Sequence, residues 1–130
     1  MKIRVKTKSL LRKKAKLGMR GYPVATVAFY GPTGDRASKV AVGIIEEPEA
    51  EPALLERWFS EVDDIRNDAA IEREILSFIQ AHGARSVVMT DGLLGCPHEE
   101  GKDYPEGQAC PECPYWADRD RFAGARTPSA

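Results

Sequence analysis

Cys96, His98, Cys110 and Cys113 fall within eighteen positions of a 130-residue chain, and they include all three cysteines and one of its two histidines. The spacing is Cys96-x-His98, eleven residues, then Cys110-x2-Cys113. A C-x2-C pair in a tight turn brings two thiolates to one ion. Two residues separated by one in an extended segment project to the same side. Two such pairs make a Cys3His set, a common structural zinc environment. Four protein ligands leave no open position, so the set argues for structure and against catalysis. The segment between the pairs is dense in glycine and proline, with Gly95, Pro97, Gly101, Pro105, Gly107, Pro111 and Pro114. Such a loop builds no apolar core of its own, and a metal would order it.

Other chemistries fit parts of the same residues. "CPHEEG" and "CPECPYW" resemble the ligand segments of Rieske iron–sulfur proteins, in which Cys-x-His is followed by Cys-x-x-His. That resemblance covers about twenty residues and implies a 2Fe–2S cluster on Cys96, His98, Cys110 and Cys113, serving electron transfer or redox sensing. The chain departs from it in ending on Cys113 where the family has histidine, and in a shorter gap between the pairs. His98-Glu99-Glu100 followed by Cys110-Pro111-Glu112-Cys113 resembles the zinc deaminase signature, which implies Glu100 as the proton shuttle of a hydrolytic enzyme. Here Ala109 stands where that signature has proline, and Cys96 would close the water position. A thioredoxin-like dithiol would sit at a helix N-terminus after a strand, whereas Cys113 is followed by Pro114.

The charge distribution suggests a partner. The net charge is −1, yet residues 1–20 carry nine basic side chains and no acid, while residues 21–130 carry ten basic and twenty acidic ones. A basic arm on an acidic body points to RNA or another polyanion, contacted through Lys6, Lys8, Arg12, Lys13, Lys14 and Lys16. The alternative is that the arm folds back on its own acidic body. Apolar and charged fractions of 42% and 30% fit a globular chain. No apolar run approaches the roughly 18 residues of a membrane span. The basic N-terminus has no apolar segment after it, which argues against a secretory signal. An odd number of cysteines suits reduced thiols, so a cytoplasmic location is expected. The sequence does not fix an oligomeric state.

These features need a scaffold. "MKIRVKTK" alternates like a short edge strand or extended arm. Ser9 caps a short basic helix, "LLRKKAKL", that Gly18 stops. Tyr22–Gly31 and Ser38–Ile45 read as strands of a β-hairpin around the turn residues "GPTGDRA". Its Gly-Pro-Thr-Gly lacks the ending of a phosphate-binding P-loop. An acidic linker, Glu46–Pro52, leads to a helix over "PALLERWFS" with Leu54, Leu55, Trp58 and Phe59 on its apolar face. Asp68 caps a second helix, "AAIEREILSFIQAH", with Ile71, Ile75, Phe78 and Ile79 at helical spacing and Gly83 as its stop. His82 suits the dipole of its last turn. "ARSVVMTDGLLG" is a strand ending in an Asp91-Gly92 turn. The expected fold class is α+β: a small antiparallel sheet, made of the hairpin plus a further strand, covered by two helices, with a C-terminal metal-binding loop. The organisation follows as a basic arm (1–20), an α+β core (21–94), a Cys/His metal loop (95–116) and a flexible tail (117–130). Tyr104, Tyr115 and Trp116 would supply the apolar cover of the loop.

Overall fold

The computed structural model describes residues 9–61, 63–117, 119–120 and 125–126. The expected strand over residues 1–8, with Lys6 and Lys8, lies outside the described residues.

The fold is α+β, built on a four-stranded mixed sheet. Helix α1 (Leu10–Lys16) is followed by strands β1 (Val24–Tyr30), β2 (Lys39–Ile45) and β3 (Leu54–Phe59), helix α2 (Ala69–Ala81) and strand β4 (Ser86–Leu93). The sheet order is β3-β2-β1-β4. β1 and β2 form the expected hairpin, antiparallel with Val27 opposite Val42, and β2 pairs antiparallel with β3. β4 runs parallel to β1. The sheet is therefore not the antiparallel one expected. After β3 the chain returns through α2, and such a helical crossover delivers the next strand parallel.

Two expectations for elements are corrected. Leu54–Phe59 is strand β3, not a helix. Leu54, Leu55, Trp58 and Phe59 satisfy helical spacing, but a six-residue run fits a strand as well, and the aromatic residues favour it. Ile44 faces Leu54 and Val40 faces Trp58 across the ladder, so pairing with an already formed β2 decides the outcome. Asp91-Gly92 is likewise no turn. β4 continues through it to Leu93, and the extra length is taken up by a register shift opposite Val27 and Phe29.

Strand alternation separates two faces. Ala25, Val27 and Phe29 of β1, Val40, Val42 and Ile44 of β2 and Val87 of β4 are buried in one cluster with Ile75 and Ile79 of α2 and Leu11 of α1. The helix ends are formed as the sequence suggests. Ser9 Oγ accepts from Arg12 N at 3.1 Å, and Asp68 Oδ1 accepts from Ile71 N at 2.9 Å. Gly83, at φ +65°, closes α2: Ala84 N donates to Ile79 O and Gly83 N to Gln80 O. Ser9 Oγ also donates to Glu72 Oε1 at 2.7 Å, fixing α1 against α2. In the tail, Arg119–Asp120 pairs antiparallel with Ala125–Arg126. No helix among the described residues is long and apolar enough to cross a membrane.

Candidate metal centre

The loop begins where β4 ends. Leu94 N donates to Phe29 O at 2.8 Å and Gly31 N to Gly95 O at 2.9 Å, so the loop leaves from the end of β1. It returns to the same place, because Trp116 Nε1 donates to Gly31 O at 2.7 Å. Gly31 has to be glycine: a Cβ there would lie 1.9 Å from Arg36 O. Trp116 packs against both the sheet cluster and a second buried cluster of Cys96, Tyr104, Cys110 and Cys113.

Within the loop, hydrogen bonds shape two turns. Gly101 N donates to Tyr104 O at 2.7 Å, Glu99 N to Asp103 Oδ2 at 2.7 Å, and Gly107 N to Glu100 Oε2 at 2.6 Å. Gly101 and Gly107 take φ of +82° and +86°, a region that suits glycine. Cys113 N donates to Cys110 O at 3.3 Å, closing the C-x2-C turn, and Pro114–Trp116 adds one 3-10 turn. Tyr104 is buried beside the cysteines, whereas Tyr115 lies over the hairpin loop, where a Cβ on Gly34 would meet its hydroxyl at 2.5 Å.

These turns bring the four predicted residues together. The Sγ atoms of Cys96, Cys110 and Cys113 and a ring nitrogen of His98 all lie within 4.8 Å of one another. His98 Nδ1 is 3.3 Å from Cys110 Sγ and 3.5 Å from Cys113 Sγ. The three cysteines are buried and free of disulfides. Burial, with charge on Cys96 and Cys110 adding to it, pushes the Cys113 thiol up to about 12. Burial raises the Cys96 thiol too, and Cys110 adds to it. Three clustered thiolates without a cation are unfavourable, which is the condition a divalent ion relieves. The outer nitrogen of His98, Nε2, lies 3.6 Å from Glu112 Oε1, in the position of a carboxylate that orients a ligating imidazole.

Glu99, Lys39 and Arg57 were not singled out from the sequence. Lys39 is only 4% exposed. Its Nζ donates to Pro97 O at 3.0 Å and to Glu99 Oε2 at 2.9 Å. Arg57 Nη2 donates to Glu99 Oε1 at 3.2 Å, and its Nε pairs with Oε2. Burial alone would raise the Glu99 pKa, but Lys39 and Arg57 outweigh it and hold the carboxyl below its ordinary value. The loop is thus tied to β2 and β3 by one carboxylate. The only sequence signal was a lysine opening an otherwise apolar strand.

Glu100, the residue matching the deaminase proton shuttle, uses its carboxylate to hold Gly107 N. The basic residues of α1 lie elsewhere. Arg12, Lys13, Lys14 and Lys16 are exposed, and none forms an ion pair with another described residue. No protein-family model matches the chain, and comparison with curated proteins and with solved structures finds no match to either its sequence or its fold.

Proposed function

We propose that this is a small zinc-binding protein with a structural Cys3His site, and that it works as a binding module contacting RNA or another polyanion through its basic N-terminal arm. The convergence of Cys96, His98, Cys110 and Cys113 carries the metal reading. A tetrahedral ion with Zn–S of about 2.3 Å and Zn–N of about 2.0–2.1 Å separates its sulfur and nitrogen ligands by about 3.5–3.6 Å. The His98–cysteine distances of 3.3 and 3.5 Å sit close to that edge. A 2Fe–2S cluster divides its four ligands between two irons, which spreads the two pairs apart. A spread of at most 4.8 Å therefore favours one ion over the Rieske-like alternative. Four protein ligands fill a tetrahedron, so the reading is structural, not catalytic. Reduced thiols are consistent with a cytoplasmic setting.

The polyanion reading is supported by the exposure of Arg12, Lys13, Lys14 and Lys16 without acidic partners among the described residues. Lys6 and Lys8 extend the same basic run in the sequence.

The test is elemental analysis with a visible spectrum on protein purified without air. One zinc per chain and no colour is expected, with metal lost in Cys113→Ser. Iron with sulfide and a brown or red colour would replace zinc by a cluster on the same ligands. Neither metal would remove the site.

A further inference from the structure

The sheet face opposite the buried cluster has an unusual composition. Its residues form rows across the strands. Phe59, Lys39 and Tyr30 lie side by side on β3, β2 and β1; Arg57, Ala41 and Ala28 form the next row; Leu55, Gly43 and Thr26 the third, continued by Val88 on β4. The middle of the face is therefore small, with Ala28 and Ala41 half-buried and Gly43 covered by Pro52 and Leu55, and its margin carries rings and cations. Phe59 is 60% exposed and Val88 52%. Lys39 Nζ stands 5.3 Å from the centre of the Tyr30 ring and 5.8 Å from that of Phe59, which fixes the row.

The metal loop forms one wall above this floor. Cys96, His98 and Glu99 border a groove of about 280 Å³ with Tyr30, Lys39 and Arg57. That is small for an isolated ligand site, whose volumes begin at about 300 Å³. Its shape suits part of a chain lying across the sheet. At the other side, along β4, Arg12 and Lys16 of α1 border a second groove of about 300 Å³ with Val88 and Thr90. Three strand spacings separate β3 from β4, about 14 Å, a distance that a few nucleotides cross.

We infer that single-stranded nucleic acid lies across this open face, with a base stacked on Phe59 beside the metal loop and phosphates met by Arg12 and Lys16 beyond β4. Exposed rings on a sheet give stacking surfaces that tolerate any base, and flanking cations follow the backbone. Bases paired in a duplex present no free face to such a shelf. The four cations of α1 supply charge complementarity to phosphate, which an apolar or cationic partner would not use. The inference rests on the polyanion reading above and deepens it, because it assigns the bases as well as the phosphates.

The experiment is fluorescence anisotropy with a labelled, roughly twelve-nucleotide single-stranded RNA of mixed sequence, alongside the same RNA as a duplex. The metal-containing protein is compared with Phe59→Ala, Phe59→Tyr and the double variant Arg12→Glu/Lys16→Glu, the two cations placed beside β4. Phe59 is exposed, so its replacement leaves the buried cluster intact, which a thermal melt checks. Phe59→Ala is expected to weaken single-strand binding about ten-fold, with Phe59→Tyr restoring it and the duplex binding less tightly. Unchanged affinity in Phe59→Ala, with weakened binding in the α1 charge variant, overturns the sheet-face site and leaves the arm reading standing. The reverse pattern keeps stacking on Phe59 and overturns the phosphate contacts from α1. A duplex that binds as tightly as the single strand overturns the stacking role. Failure of the wild-type protein to bind either RNA overturns both.

Discussion

Val40, Val42 and Ile44 are sealed from solvent by the side chains of neighbouring strands and of α2, whereas Cys96, Cys110 and Cys113 are sealed by one another, Tyr104 and Trp116. The first group is held by apolar area removed from water, which scales with the number of methylenes packed together. The second has fewer residues to supply it, chiefly Tyr104 and Trp116 beside the cysteines. It depends on a few directional contacts, on Glu99 and Trp116 as ties to the sheet, and, on the function proposed above, on an ion held by the Cys3His group. One chain thus contains two stabilising regimes, and the boundary between them lies near Gly95.

The largest expected effect that separates the two comes from removing the metal. Chelation should abolish the order of residues 95–117, seen as lost near-ultraviolet signal from Trp116 and rapid proteolysis within the loop. The sheet should keep its far-ultraviolet spectrum. If the sheet melts in the same step, the two regions are one cooperative unit and the contrast fails. Next in size is Ile44→Ala. Emptying a fully buried site on β2 should cost about 3 kcal/mol in denaturant unfolding, with zinc content unchanged.

Glu99→Ala probes the seam between the regions. It strands buried Lys39 with only Pro97 O, and should cost about 2 kcal/mol while loosening metal retention. A variant as stable as wild type would show that the loop does not lean on the sheet through this carboxylate. The smallest effect belongs to the rim of the sheet core, at Asp64 beside buried Ile65. The side-chain hydrogen bonds from Arg66 are the main reason the Asp64 carboxyl sits at about 2, below its ordinary value of 3.8. A depressed folded pKa contributes stability above the unfolded value and loses it as the carboxyl protonates. About 1 kcal/mol should therefore disappear between roughly pH 4 and pH 2. Partners two residues apart also meet in the unfolded chain, which keeps the effect small. Asp64→Asn should flatten that part of the profile, and an unchanged acid limb would sink the assignment.

Much of this contrast could be read in the residue order. The convergence of Cys96, His98, Cys110 and Cys113 was legible because cysteine is scarce and its spacing is restrictive. β1, β2 and α2 were legible because their apolar periods are long enough to distinguish two from 3.6. β3 was not, since Leu54–Phe59 is too short to separate the periods and its strand state comes from pairing with β2. The direction of β4 was hidden for the same reason: a crossover is a property of the path, not of the strand. The tie from Glu99 to Lys39 and Arg57 links positions up to 60 residues apart, and no local pattern announces it.

Gly31 receives both ends of the loop, through Gly95 at its entry and Trp116 at its exit. To the sheet, twenty-odd residues thus behave as a ring closed at one bead, with Glu99 as a second tie to β2 and β3. Changes in the length of its outer arc, around residues 101–108, alter ring closure only logarithmically and leave the attachment untouched. The ring is in that sense a cassette. It could be exchanged for a longer or shorter one with the same two ends, and another sheet could accept it if its hairpin ended in such a glycine and offered cations where Lys39 and Arg57 meet Glu99.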